Sequence, residues 1–245
     1  MNKRGPVKSA KALDKIEKQN QVLDSSSIIT FKKPFKCKSK TQKDLLTSVH
    51  KNDVTICSGP AGGGKSITAI QAALELIKND SRYQEILLLK SMTQLKDEVL
   101  PALPGDAMMK MYYQNMSFID CFEKLIGGRT TEQLITANTI KFGVIGSLRG
   151  RSLGGSSGCV VILDEAQNVS HDNLKTILTR VGENCKLIIL GDPDQIDIKN
   201  KNESSLARVI EKVRANPTDG VGIVEFTEED IVRHRLTSYF INLFK

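Results

Sequence analysis

From residue 54 onward, short continuous apolar runs alternate with longer stretches in which apolar positions recur every three or four residues. The runs Val54–Ile56, Ile86–Leu89, Val160–Leu163, Leu187–Leu190 and Val221–Phe226 predict strands, and the segments 65–78, 115–126, 171–181, 203–214 and 228–243 predict helices. A strand that is apolar at every position, rather than at alternate ones, is covered on both faces. The pattern therefore predicts an α/β fold with a mainly parallel sheet and helices on either side of it. Up to about residue 28 the chain is rich in lysine, serine and glutamine, with only a thin helical pattern at Leu13, Ile16 and Leu23, and it contains no internal repeat. A basic, mobile arm at 1–30 and one core domain at 31–245 are the expected units.

Composition narrows this only a little. With 245 residues, 40% of them hydrophobic and 26% charged, the chain can bury one sizeable core, which excludes a disordered chain, a fibrous repeat and a disulfide miniature. No apolar run approaches the roughly 20 residues of a membrane-spanning helix. Met1-Asn2-Lys3-Arg4-Gly5-Pro6 leads into polar residues with no apolar stretch of a secretory signal, so a cytoplasmic protein without a membrane segment is expected. The five cysteines are scattered and lack zinc-site spacing. Reduced thiols are expected, with Cys57, Cys159 and Cys185 acting as small hydrophobes in strands.

Charge is more informative than its total. Residues 1–51 carry 13 Lys+Arg and 4 Asp+Glu, leaving 35 − 13 = 22 basic against 28 − 4 = 24 acidic residues in the rest. The excess of +7 thus sits in a lysine-rich N-terminal region, which either binds phosphate backbones or is a solvated end.

The sharpest chemical signal is Gly59-Pro60-Ala61-Gly62-Gly63-Gly64-Lys65-Ser66, which fits G-x-x-x-x-G-K-[ST]. It follows the strand candidate 53–58 and opens the amphipathic segment 66–77. In a strand, glycine loop, helix unit, backbone N–H groups and the positive end of the helix converge on an anion. The expected ligand is the phosphate chain of ATP, held by residues 59–66 and by Ile67 in the first helical turn. Lys65 would set a point charge on the β- and γ-phosphates, and the Ser66 hydroxyl would ligate Mg2+.

Such a loop calls for an apolar strand ending in an acid, and Cys159-Val160-Val161-Ile162-Leu163-Asp164-Glu165 supplies it. Asp164 would hold Mg2+, and Glu165 would orient and deprotonate the attacking water. A third strand end, followed by Gly191-Asp192-Pro193-Asp194-Gln195, brings a polar loop to the same edge of the sheet. Gln195 has the donor and acceptor needed to touch the γ-phosphate and the lytic water together; read alone, the segment is a tight turn.

With these motifs in order, the chain resembles the PhoH-like ATPases, relatives of superfamily 1 helicases with one RecA-like core. The resemblance runs from about Lys40 to Leu236. It rests on the phosphate loop, Leu103-Pro104-Gly105-Asp106, Leu148-Arg149-Gly150-Arg151-Ser152-Leu153, Ile162-Leu163-Asp164-Glu165-Ala166-Gln167-Asn168, Leu178-Thr179-Arg180-Val181-Gly182, residues 191–195 and Asp230-Ile231-Val232-Arg233-His234. It implies a RecA-like P-loop NTPase fold, Mg2+-dependent ATP hydrolysis, action on RNA or single-stranded DNA, and a homo-oligomer, often a ring. It also implies that Gln42 reads the adenine edge, for which an amide is chemically suited; a surface glutamine is the plain alternative. Two departures stand out. Lys90-Ser91-Met92 occupies the place of an Arg-Pro found in many relatives, and Gly63-Gly64-Lys65-Ser66 replaces their usual Thr-Gly-Lys-Thr.

Two-core helicases complete the ATP site with arginines from a second domain, which a chain of this length is not expected to contain. The candidates here are Arg149 and Arg151 in a glycine-flanked loop and Arg233 or Arg235 near the C-terminus, each of them equally suited to a surface ion pair. An arginine acting in trans across a subunit interface is the favoured expectation. With no tryptophan and few other aromatics there is no evident stacking platform, and Tyr112, Tyr113 and Phe118 read as core residues before they read as base-stacking ones. The leading function is an Mg-ATPase coupled to RNA or single-stranded DNA. The alternatives are an ATP-driven switch or assembly factor and a metabolic kinase, the last disfavoured because Glu165 and Gln195 suit water better than a substrate hydroxyl.

Overall fold

The computed structural model describes residues 25–91, 115–148, 150, 152–197, 204–231 and 243. Six strands form its centre: β1 Val54–Ser58, β2 Tyr83–Lys90, β3 Ile140–Gly143, β4 Gly158–Asp164, β5 Cys185–Gly191 and β6 Val221–Glu225. They lie in the order β3-β2-β4-β5-β1-β6, and every neighbouring pair is parallel. The helices are α1 Ser25–Ile28, α2 Lys40–Lys51, α3 Lys65–Asn79, α4 Met116–Ile126, α5 Gly128–Thr136, α6 His171–Leu178 and α7 Leu206–Ala215, with short 3-10 turns at Ile145–Leu148, Ala166–Asn168 and Glu228–Asp230.

The apolar runs behave as their pattern predicts. Along β4, Val160 and Ile162 join the core shared with α2, α3, α4 and α5, while Cys159, Val161 and Leu163 join the one beneath α6 and α7. β5 divides in the same way, Ile188 and Leu190 on one face and Leu187 and Ile189 on the other. Both faces are buried, as a parallel sheet requires. Among the cysteines, all free, Cys57, Cys159 and Cys185 are buried in strands. Among the described residues one cation is also buried: Lys186 of β5 donates to the carbonyls of His50 (3.2 Å) and Asn52 (2.8 Å), satisfying the C-terminal end of α2.

Several elements were not anticipated. α2, α5 and the edge strand β3 carry few buried apolar residues, and α6 stops at Leu178 because Val181 turns to pair with Leu153. The packed body also begins earlier than residue 31: α1 precedes Ile29, which is 1% exposed and part of the core. Residues 1–24 of the expected arm lie outside the described residues, as do Tyr112, Tyr113, the segment 103–106 and most of the helix expected at 228–243. Phe118 is fully buried in the core.

Candidate functional site

Because β5 lies between β1 and β4, the loops leaving the C-terminal ends of these three strands open side by side. The loop after β1 is held from both sides. Gly59 donates its N–H to the Gly191 carbonyl at the end of β5 (3.2 Å), and Phe226, just past β6, donates to the Ser58 carbonyl (2.8 Å). Gly59 has φ +127°, and a Cβ there would run into the Phe226 carbonyl; Gly64, from which α3 departs, has φ +86°. Only glycine takes both conformations without strain.

Gly63 has a different reason. A Cβ on it would lie 2.7 Å from the Phe226 ring, and Phe226 is buried. Gly63 is therefore the complement of an aromatic ring packed beneath the loop.

Lys65 donates its ammonium to the carbonyls of Gly59 (2.5 Å) and Pro60 (2.9 Å), lying back along the loop it follows. Ser66 donates its hydroxyl to Oδ2 of Asp164 (3.3 Å). Burial, and after it the charge of Glu165, raises the Asp164 carboxyl above its ordinary value, against the opposing pull of the Glu165 N–H and of Lys90 and Lys65. A carboxylate that is costly to ionise, next to a hydroxyl oxygen, suits a hard divalent cation. Among the described residues no group of three or more His, Cys, Asp or Glu could hold a metal alone. Ser66 and Asp164 together offer the one or two protein oxygens that Mg2+ takes beside phosphate and water.

Glu165 sits in the left-handed region at φ +55°, a conformation that costs of order 1–3 kcal/mol and persists only when its surroundings enforce it. Those surroundings are visible. Its N–H donates to Oδ1 of Asp164 (3.0 Å), and its Oε2 accepts from Nε2 of Gln167 (2.7 Å). Gln167 is fully buried and accepts the Asp192 N–H at its Oε1 (3.0 Å), so one amide spans the ends of β4 and β5. Asn168 makes a second span: its side chain holds Asp197 through the N–H (2.7 Å) and Oδ2 (3.3 Å), and its carbonyl accepts from the Ser91 hydroxyl (2.8 Å). In the sequence Gln167 and Asn168 stand only as parts of the motif 162–168, with no role of their own. The available signal was two amides directly after an acid pair, where a solvated turn would not need them.

Gln195 lies in a tight turn built on Asp192. Asp192 accepts from the Asp194 N–H (3.1 Å), from the Gln195 side-chain amide (2.8 Å) and, at its carbonyl, from the Gln195 N–H (3.0 Å). Gln42 departs from its surface alternative: it lies in the first turn of α2, 4% exposed. Its Oε1 accepts the Lys38 N–H (2.8 Å) and its Nε2 donates to the Gly63 carbonyl (2.8 Å), so the amide braces the phosphate loop. Arg149, Arg151, Arg233 and Arg235 lie outside the described residues. Leu148 and Leu153, on either side of the first two, are buried.

An all-parallel sheet with helices on both faces, a glycine loop between β1 and α3, and an acid pair at the end of β4 define a P-loop NTPase fold of RecA-like type. The chain belongs to the PhoH family, whose model, described as PhoH-like protein, matches residues 34–245. It is 32% identical over 212 residues to the PhoH-like protein of Bacillus subtilis (strain 168), covering 86% of this chain and 64% of that protein. Against protein PhoH of Escherichia coli (strain K12) it is 32% identical over 206 residues, covering 83% of this chain and 56% of that one. The chain thus spans less than two thirds of the length of either relative. Among solved structures it is similar in fold to the large terminase of a thermophilic bacteriophage, with TM-score 0.51 and 13% identity over 87% of this chain and 51% of that one. No helix among the described residues is long and apolar enough to cross a membrane.

Proposed function

We infer that the chain is a Mg2+-dependent ATP hydrolase that works on RNA or single-stranded DNA. The observation that carries this reading is the hydrogen bond from Ser66 to Asp164, which joins the phosphate loop to the acid pair at one edge of the sheet. The loop amides from Gly59 to Ile67 would cradle the phosphates, and Lys65 would exchange its loop carbonyls for the β- and γ-phosphate oxygens. Mg2+, held by Ser66 and Asp164, would neutralise charge on those oxygens. Glu165 takes the proton as the water oxygen bonds to the γ-phosphorus and the bond to the β–γ bridging oxygen breaks, releasing ADP and phosphate. Gln167 holds the Glu165 carboxylate for that step. Gln42 reads adenine by giving up one of its two present bonds, which links base recognition to the shape of the loop. Gln195, from its turn on Asp192, senses the γ-phosphate.

The nucleic-acid part of the reading draws on the resemblance to helicase-like ATPases and on the excess of lysine. Arg149 or Arg151, in a loop flanked by glycines, would complete a neighbouring copy's site, with Arg233 or Arg235 as the other candidates, and the chain would then act as a homo-oligomer. The test is phosphate release with and without RNA or single-stranded DNA, run beside light scattering on a sizing column. Stimulation by either polymer in an oligomer supports the whole reading. An ATPase indifferent to both polymers removes the nucleic-acid part, and a monomer hydrolysing at full rate removes the arginine in trans. Lys65→Ala should lose ATP binding and turnover together.

A further inference from the structure

We propose that an exposed lysine strip on residues 32–43 is the surface along which a nucleic-acid strand lies, and that Gln42 connects this strip to the phosphate loop. The proposal rests on the nucleic-acid reading above and gives it a place on the molecule. From Ser25 to Lys43 the chain carries six lysines, Lys32, Lys33, Lys36, Lys38, Lys40 and Lys43, and no acid. All six are exposed. None of them enters an ion pair among the described residues.

The strip is fixed to the body. Ile29 is buried in the core, and Phe31 and Phe35 pack against it, so the apolar residues of this segment turn inward and the lysines outward. Lys32 donates its N–H to the Leu125 carbonyl at the end of α4 (2.8 Å). Lys78 of α3 stands over the Phe31 ring, 5.4 Å from its centre, and adds another cation to the same surface. Backbone that is already anchored loses little further entropy when a partner binds.

Reach and charge both match a strand. An extended chain advances about 3.3 Å per residue, so Lys32 to Lys38 span at most about 20 Å, a length over which one strand carries about six phosphates. A lipid surface fits less well, because a peripheral membrane site pairs its cations with apolar side chains that enter the bilayer. The large apolar side chains exposed among the described residues are Met116, Val144 and Leu243, none of them in the strip.

The strip also ends at the nucleotide site. The Lys38 N–H is bonded to Oε1 of Gln42, whose Nε2 holds the Gly63 carbonyl. A strand that displaces Lys38 acts on the loop through one side chain. By linkage, nucleotide must then change the affinity for the strand by the same factor as the strand changes the affinity for nucleotide.

The experiment compares the full chain with the triple variant Lys32→Gln, Lys33→Gln, Lys36→Gln and with a control triple on the other face, Lys175→Gln, Arg208→Gln, Lys212→Gln, all exposed positions on α6 and α7. Binding of fluorescein-labelled oligouridylate and oligodeoxythymidylate is titrated between about 50 and 200 mM salt. The strip variant should bind at least about tenfold more weakly, and the slope of log affinity against log salt should fall by about 2, near 0.7 for each lost contact. Its basal ATPase and melting temperature should stay at the parent values, and the control should bind like the parent. Equal affinity and slope in strip variant and parent overturn the strip and leave the nucleic-acid reading standing. A parent chain that binds neither oligonucleotide overturns that reading and the strip with it. Phosphatidylserine vesicles are the third probe: vesicle binding through these lysines without oligonucleotide binding overturns the choice of partner.

Discussion

The Ser66 hydroxyl donates to Oδ2 of Asp164 at 3.3 Å, joining residues 98 positions apart at the point where the first turn of α3 meets the end of β4. Neither residue is there for stability alone. The Asp164 carboxyl is raised by burial and by Glu165, so ionising it in the folded chain is disfavoured. Asp164→Asn keeps the shape and removes that cost. In metal-free buffer at neutral pH the variant should melt at a higher temperature than the parent. With Mg-ATP its turnover should fall by at least about 10–100-fold, the usual consequence of losing a residue that holds or orients a metal. Calorimetry and phosphate release measure the two effects, and a lower melting temperature would sink the first.

Gln167 sets the direction of the Glu165 carboxylate. Gln167→Ala removes the donor to Glu165 and the acceptor for the Asp192 N–H, freeing a carboxylate whose placement matters on the scale of an ångström. Turnover should drop by up to about 100-fold while KM for ATP stays within a few-fold. A large rise in KM with unchanged kcat would instead mark Gln167 as part of nucleotide binding.

Gly63 and Phe226 form a pair in which one residue's size sets the other's. Gly63→Thr drives a side chain toward the Phe226 ring, which should cost about 1–3 kcal/mol in stability and weaken ATP binding. Phe226→Leu alone opens a cavity. Combined, the two substitutions should cost less than the sum of the single effects, as denaturant unfolding would show; strict additivity would mean that the ring does not dictate the glycine.

Asp230 ties the segment after β6 to the start of α2. Burial raises its carboxyl, but the Thr227 N–H and the hydroxyls of Ser39, Thr41 and Thr227 outweigh that and hold it below its ordinary value of 3.8. A depressed acid contributes stability that is full above the unfolded-chain value and is lost as pH falls through the folded one. Asp230→Asn should therefore destabilise by about 1 kcal/mol or more at pH 7. That difference should shrink toward zero as the pH falls below about 4. Melting temperatures at a series of pH values test it, and a difference independent of pH would contradict it.

Much of this was open to a reader of the sequence, for an identifiable reason. β1, β4 and β5 contain apolar runs flanked by glycines and acids, and the phosphate loop and acid pair depend on local chain order. What escaped was carried by few or polar residues. α2 buries only Gln42, Leu45 and Val49, and one of those three is an amide whose burial makes sense only once Gly63 is in place. β3 is four residues long and includes Lys141, so no apolar run marks it. The work of Gln167, Asn168 and Phe226 lies in contacts between strand ends that the sheet order creates and chain order does not reveal.

The central claim is that Glu165, held by Gln167 beside the Ser66–Asp164 pair, draws the proton from the water that cleaves ATP. The most direct measurement is phosphate release with Mg-ATP by the full chain and by Glu165→Gln, alongside the Kd for nucleotide of each. The expected result is nucleotide binding within a few-fold of the parent and turnover lower by about 10²–10⁴. Turnover at the parent rate in Glu165→Gln, with nucleotide bound, would contradict it.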